Sequence, residues 1–384
     1  MKVLIISLDK TLLGEKVSGG DAVERHREYG KFCDELNIIV FCLGGYEKQE
    51  LSQNVFVWPT NSKSKLRYAK DAIKIAKQIY QDVGFDLIVC QDPFLTGWVG
   101  LKLKSKLDVK LLVHFHGDFW LNKKWLKEKW YNHFLLPLSK LVAKKADCVR
   151  VVSHGIKNKL IRNGIKKNKI QVIPTPVDLN KFLTCDAARV YELKKKYAPR
   201  EAVDKIILFV GRLEKEKNLS WFLKVFKAVK QEYNNVRLLI IGEGSLKKKL
   251  QVASHKLQVA RSVEFIGRVD HSDLTNYYHL ADIVVLPSTS ESFGKVLAEA
   301  AAAGRPCVAT ATTGAKEIIQ DKKTGFLVPI NNQKQMIEKI IKLLKDEKLA
   351  QQMGEKAREH VKKDFSSAEL YKKIANLWQD VIRN

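Results

Sequence analysis

Short apolar runs alternate with longer amphipathic stretches along most of the chain. KVLIISL contains no polar alternation and reads as a strand buried on both faces. DAVERHREYGKFCDEL then reads as a helix, and IIVFCL as the next strand. In LRYAKDAIKIAKQIY the apolar residues Leu66, Ala69, Ile73, Ala76 and Tyr80 recur at helical spacing. FDLIVCQ, VKLLVHFH and DCVRVVS are three further strands by the same reading. Continuous Val/Ile/Leu runs separated by helices predict parallel sheets covered on both sides.

The pattern restarts after VIPTPVDLNKF, where Pro174 and Pro176 interrupt the chain. A charged helix is expected around residues 186–197. KIILFVG, VRLLIIG, SVEFIG and ADIVVLP follow as strands, and the last forty residues read as all helix. The expected fold is α/β, with two doubly wound parallel-sheet domains at 1–178 and 179–365 and a terminal helix at 366–384. Ligands of such sheets bind beyond the carboxyl ends of the strands. Those ends are expected to face one another across a cleft.

Charge and cysteine content narrow the class. The 384 residues include 68 Lys+Arg and 42 Asp+Glu, a formal charge of +26. Residues 1–180 carry 31 basic and 18 acidic residues, and the remainder 37 and 24. This even split fits a lysine-rich surface better than a basic nucleic-acid-binding tail. The six cysteines form no C-x-x-C pair, which points to reduced thiols in a cytosol. No signal peptide is expected, and no apolar run approaches the ~20 residues of a transmembrane helix.

The candidate chemistry clusters at strand ends. In STSESFGKVLAEAAAAGRPCVAT a loop follows ADIVVLP and leads into a helix that Gly304, Arg305 and Pro306 stop. The helix N-terminus near Gly294 favours an anion such as phosphate. Glu291 lies before the helix and Glu299 one to two turns inside it. Both can accept hydrogen bonds from hydroxyls, so the segment suits a sugar–diphosphate–ribose ligand. In FVGRLEKEKN, Arg212 and Lys217 follow a strand and Gly211, and supply two cations for a leaving diphosphate. SGGDAVERH offers Gly19 and Gly20 for close backbone approach, without a G-x-G-x-x-G fingerprint. HFHGDFW puts His116 at a strand end, with His114 better suited to a structural role. IGEGS turns a strand into a helix at Gly242 and Gly244.

Together, GRLEKEKN, IGEGS, FIGRV, ADIVVLPSTSESFGKVLAEAAAAGRPCVAT and TGFLVP, in that order, resemble the retaining glycosyltransferases of family 4, which have the GT-B fold of two Rossmann-like domains. The resemblance covers nearly the whole chain. Its E-x7-E motif falls on Glu291 and Glu299. It implies that Arg212 and Lys217 bind the donor diphosphate and that Glu291 holds sugar hydroxyls. Phe293, Gly294, Lys295 and Val296 would meet sugar and phosphate, and Glu299 the ribose. Gly242, Arg268 and Val269 would contribute to the donor pocket, the last two at the base. Gly19 and Gly20 would line the cleft, and His116 would contact the sugar near the reacting carbon. Thr313 before Gly314, and Ser292, depart from glycines common in the family and leave the sugar contacts open.

The implied activity is transfer of a hexose from a UDP- or GDP-sugar to a glycan or lipid-linked acceptor, with no metal and no cofactor. The alternative is a nucleic-acid-binding or non-catalytic sugar-nucleotide-binding protein; no nucleic-acid partner is expected. WLNKKWLKEKWYNHF adds a membrane possibility. On helical spacing Lys123, Lys124 and Lys127 lie opposite Leu121 and Trp125, and Lys70, Lys74 and Lys77 form another basic stripe. The expected location is cytoplasmic, at the inner face of an anionic membrane if that segment binds lipid.

Overall fold

The computed structural model describes residues 1–14, 22–199 and 204–384. They form two compact units, Met1–Pro176 with Ala368–Asn384, and Val177–Ser367.

The first unit is built on an eight-stranded sheet. Lys2–Ser7 and Leu87–Cys90 are its central neighbours. Glu35–Val40, Val55–Pro59 and Gln49–Ser52 extend it on one side, and Lys110–Phe115, Cys148–Val151 and Ile170–Val172 on the other. All pairings are parallel except the edge pair of Gln49–Ser52 with Val55–Pro59. The apolar runs became strands because both of their faces are covered. Val3, Leu4, Ile5 and Ile6 have no exposed surface.

Two local expectations are corrected. The helix read over 21–36 is Ala22–Gly30, and Glu35 and Leu36 belong to the next strand. A side chain at Gly30 would strike Val55, 2.3 Å from its Cβ, so the helix end lies tight against the sheet. Leu36 is then drawn fully into the core. The helix Tyr68–Asp82 buries Tyr68, Ala72, Ala76 and Ile79, a stripe rotated from the expected one. Leu66 lies before it in a short 3-10 turn and is exposed.

The helix Ser367–Arg383 packs into the core of the first unit. Trp378 is fully buried there, with its ring 5.4 Å from Tyr29. The buried Arg150 donates to the carbonyls of Ile173 and Pro174 at 3.0 and 2.6 Å, pinning the chain where it leaves this unit.

The second unit holds six parallel strands. Lys205–Val210 and Ile283–Leu286 are central. Val236–Ile241 and Val263–Gly267 continue outward from the first, Cys307–Thr310 and Gly325–Val328 from the second. The chain order reverses between the two central strands. The loops that leave their carboxyl ends, 211–218 and 287–294, therefore flank one crevice. The five strands outside the sequence reading are short or at sheet edges, where apolar patterning is weakest.

Candidate active site

Glycine geometry fixes the loops of the second unit. Gly242 has φ +135°, and a Cβ there would lie 2.0 Å from the carbonyl oxygen of Gly211. Only glycine lets the turns after Lys205–Val210 and Val236–Ile241 touch in this way. The Leu213 amide donates to the Glu243 carbonyl at 2.9 Å, so the segment after Gly211 is stitched to its neighbour. Asn218, at φ +58°, then starts the helix Leu219–Glu232.

This path delivers Lys217 to Glu291. Their side chains form an ion pair, each only about one-seventh exposed (14% and 13%). Ser288, fully buried, donates to the same carboxylate oxygen at 2.9 Å. Thr310 donates to the Ser288 carbonyl and holds that residue in turn. The Thr289 amide donates to the Glu216 carbonyl at 2.8 Å, joining the two loops through backbone as well. Glu291 is thus fixed by an ammonium group, a hydroxyl and its own backbone, whose carbonyl accepts from the Gly314 amide at 2.7 Å. A Cβ at Gly314 would stand 2.4 Å from the Phe293 amide nitrogen, so this position admits glycine alone without a shift.

Gly294, at φ +83°, caps the helix Lys295–Ala302. Phe293 is buried beside it, with its ring 5.8 Å from Phe365. Lys295 and Val296 are half-buried in the first turn. Glu299 is 3% exposed, and the Tyr278 hydroxyl donates to it at 2.8 Å. Lys295 lies 3.9 Å from its other oxygen. Burial and the Glu299 charge push the Tyr278 phenol well above its ordinary pKa, so it stays a donor.

Arg212 is not gathered into this cluster. Its guanidinium is 75% exposed and donates to Glu216 at 2.9 Å. Arg268 is exposed and Val269 half-buried, just past the strand Val263–Gly267.

In the first unit, His116 follows the strand Lys110–Phe115, and its Nε2 lies 3.0 Å from Oε1 of Gln91. Gln91 itself follows the central strand Leu87–Cys90. Crowding by neighbouring atoms, then the charge of Arg150, push the His116 pKa down, but the residue keeps an exposed face and water offsets part of that shift. His114 is buried, with Nδ1 3.3 Å from the Arg150 guanidinium, and is held neutral, first by burial. Asp118 forms an ion pair with Lys159 at 2.6 Å. Gly19 and Gly20 lie outside the described residues.

Sequence reading alone missed Tyr278, Ser288, Thr310 and Gln91. Tyr278, Thr310 and Gln91 act through contacts made across the fold, whereas Ser288 meets Glu291 within one loop. Only Ser288 carried a signal, through its place in the loop of Glu291.

Two doubly wound parallel sheets, with a lysine–glutamate pair beside a glycine-capped helix at the switch point of the second, define a GT-B protein. The glycosyl transferases group 1 model matches residues 192–360, and the Glycosyltransferase Family 4 model matches residues 34–181. The chain belongs to glycosyltransferase family 4. It is 31% identical over 241 residues to N-acetyl-alpha-D-glucosaminyl L-malate synthase of Bacillus anthracis, a match covering 62% of this chain and 61% of that protein. The chain thus aligns with a little under two thirds of that relative's length. Sucrose-phosphate synthase from Thermosynechococcus elongatus shares the fold with TM-score 0.84 at 21% identity, over 100% of both chains. Anabaena HepE, solved with UDP-glucose, has TM-score 0.80 at 18% identity, over 99% of this chain and 100% of that one.

Proposed function

We propose that this chain transfers a hexose from a UDP- or GDP-sugar to an acceptor hydroxyl, on a glycan or a lipid-linked glycan, with retention of configuration. The observation that carries the reading is the Lys217–Glu291 pair beside the Gly294-capped helix. It combines a cation for phosphate, a carboxylate for sugar hydroxyls and a helix N-terminus for an anion. The UDP-glucose complex of the structural relative HepE agrees with such a donor, and the B. anthracis relative is named for an N-acetyl-alpha-D-glucosaminyl compound.

In this reading the bond between the anomeric carbon and the diphosphate oxygen breaks, and its electron pair leaves with the diphosphate. Lys217, Arg212 and the first amides of Lys295–Ala302, with Lys295 and Val296 in that turn, stabilise the growing negative charge. The exposed Arg212 swings from Glu216 to the phosphate. Glu291 orients the sugar, with Phe293 and Gly294 shaping the adjacent backbone. Glu299 takes the ribose hydroxyls, and the backbone around Gly242, Arg268 and Val269 takes the base. The acceptor oxygen bonds to the carbon from the face that the diphosphate leaves, and its proton passes to a leaving-phosphate oxygen. Positive side chains and the helix supply the charge that a metal would otherwise bring. We extend the proposal to Gly19 and Gly20, and to His116, which stands at the carboxyl end of the strand Lys110–Phe115 with Gln91 beside its ring. The reaction occurs at the cytoplasmic side of a membrane when the acceptor is lipid-linked.

The test is the melting temperature with UDP, GDP, ADP and their sugar conjugates. A site-directed donor at a hundredfold excess over Kd adds about 2.7 kcal/mol to stability. A rise with one base that Arg212→Ala diminishes supports the reading. No rise with any of the nucleotides, together with salt-sensitive binding to DNA or RNA, overturns it.

A further inference from the structure

The helix Asn132–Lys145 of the first unit buries Asn132, Ser139, Val142 and Ala143. Phe134, Pro137 and Leu141 are exposed on it, spaced three and four residues apart and so on one stripe. Trp130, just before the helix, extends the stripe, and its ring meets Phe134 edge-on at 6.0 Å. Trp130 is 76% exposed and Phe134 69%. Single exposed apolar residues are ordinary, but a contiguous aromatic patch marks an interaction surface.

Two aromatic residues earlier in the segment behave differently. Trp120 is fully buried and donates to Ser139 Oγ at 2.9 Å. Trp125 stacks on Phe94 at 5.7 Å. The expected single amphipathic helix is two pieces, Lys123–Glu128 and Asn132–Lys145, and at the break Trp130 and Tyr131 are exposed while Trp120 lies in the core.

Charge selects the partner. Residues 119–146 contain seven lysines and one acid, Glu128. Lys123, Lys127 and Lys129 are exposed before the stripe, and Lys144 and Lys145 at its far end. Aromatic rings flanked by ammonium groups, nearly free of carboxylates, match the headgroup layer of an anionic bilayer. A second copy would set like charges against each other across a symmetric contact. We infer that the face of Trp130, Phe134 and Leu141 docks on an anionic lipid surface. Docking requires no turnover, so the inference stands apart from the transferase reading, although it would bring a lipid-linked acceptor to the enzyme.

The full chain is sedimented with phosphatidylcholine vesicles and with vesicles that also contain phosphatidylglycerol. Binding is expected to the second only, weakening as salt rises. Trp130→Ser with Phe134→Ser should lower partitioning about tenfold or more while the melting temperature holds, because both rings are already in water. Lys127→Glu or Lys129→Glu should each lower it at least about fivefold. No binding to phosphatidylglycerol vesicles at low salt overturns the inference. So does wild-type binding by the double variant, or self-association that the double variant abolishes while vesicles are ignored. The nucleotide-induced rise in melting temperature, measured on the same samples, tests the transferase reading separately.

Discussion

Tyr278 donates its phenolic hydrogen to Glu299 at 2.8 Å inside the second unit, and the phenol is fully buried. This bond orients a carboxylate that is itself nearly sealed from water. If Glu299 holds the donor ribose, Tyr278 positions it. Tyr278→Phe should raise the donor KM about tenfold with little change in kcat, the loss of one hydrogen bond to a charged acceptor. Steady-state kinetics with a saturating acceptor measures the split. A fall confined to kcat would contradict the positioning role.

Lys217 and Arg212 should separate stability from activity. Lys217→Ala leaves the largely buried Glu291 without its cation and should cost about 2 kcal/mol of stability. Arg212 is mostly in solvent, so Arg212→Ala should change stability by no more than about 0.5 kcal/mol. Both should reduce turnover by about 10²–10³-fold. Urea denaturation and turnover of the same preparations provide the comparison. Unchanged turnover in Arg212→Ala would remove that residue from the site.

Gly242→Ala should damage the donor unit without touching any charged group. The new methyl meets the Gly211 carbonyl at 2.0 Å, and φ +135° disfavours any L-residue. Strain and displacement together should cost about 3 kcal/mol. A melting temperature equal to wild type would mean that the loops are not held as described.

Acid should weaken the first unit through His114. Burial, then the Arg150 charge, hold its folded pKa well below the ordinary value. Between the two pKa values the unfolded chain binds the extra proton, so stability is complete above about pH 6.5 and is lost as pH falls below it. The slope from this group is at most about 1.4 kcal/mol per pH unit. His114→Gln keeps a polar side chain near Arg150 and should flatten the curve between pH 6.5 and 5. An unchanged slope would exclude His114 as the source.

Trp378→Ala should destabilise the first unit by about 3–5 kcal/mol, because the indole is fully buried in its core. Hydrogen exchange should then show loss of protection concentrated in residues 1–176. Protection lost first in residues 177–367 would contradict the packing.

The central strands were legible because complete burial on both faces demands unbroken Val, Ile and Leu runs. The residues 186–197 read as a charged helix form Ala187–Tyr197, with the Asp186 side chain accepting from the Arg189 amide as its cap. The stop at Gly304 was legible too, because glycine is the residue a left-handed cap favours most; it has φ +71°. The strands Gln49–Ser52 and Gly325–Val328 were not legible. They are four residues long and lie at sheet edges, so little apolar periodicity is required of them.

The sequence by itself determined the parallel α/β architecture, the family and the order of the Arg212, Lys217, Glu291 and Glu299 motifs. These depend on local chemistry: apolar runs, glycine turns and charged groups at strand ends. Tertiary structure alone decided which partner each group meets. Lys217 reaches Glu291, 74 residues away, while Arg212, five residues earlier, stays with Glu216 in solvent. Tyr278 reaches Glu299, and Trp120 turns inward while Trp130 turns outward. Such pairings depend on strand order and loop closure, which bring distant residues within hydrogen-bond range and leave no periodic trace in the chain.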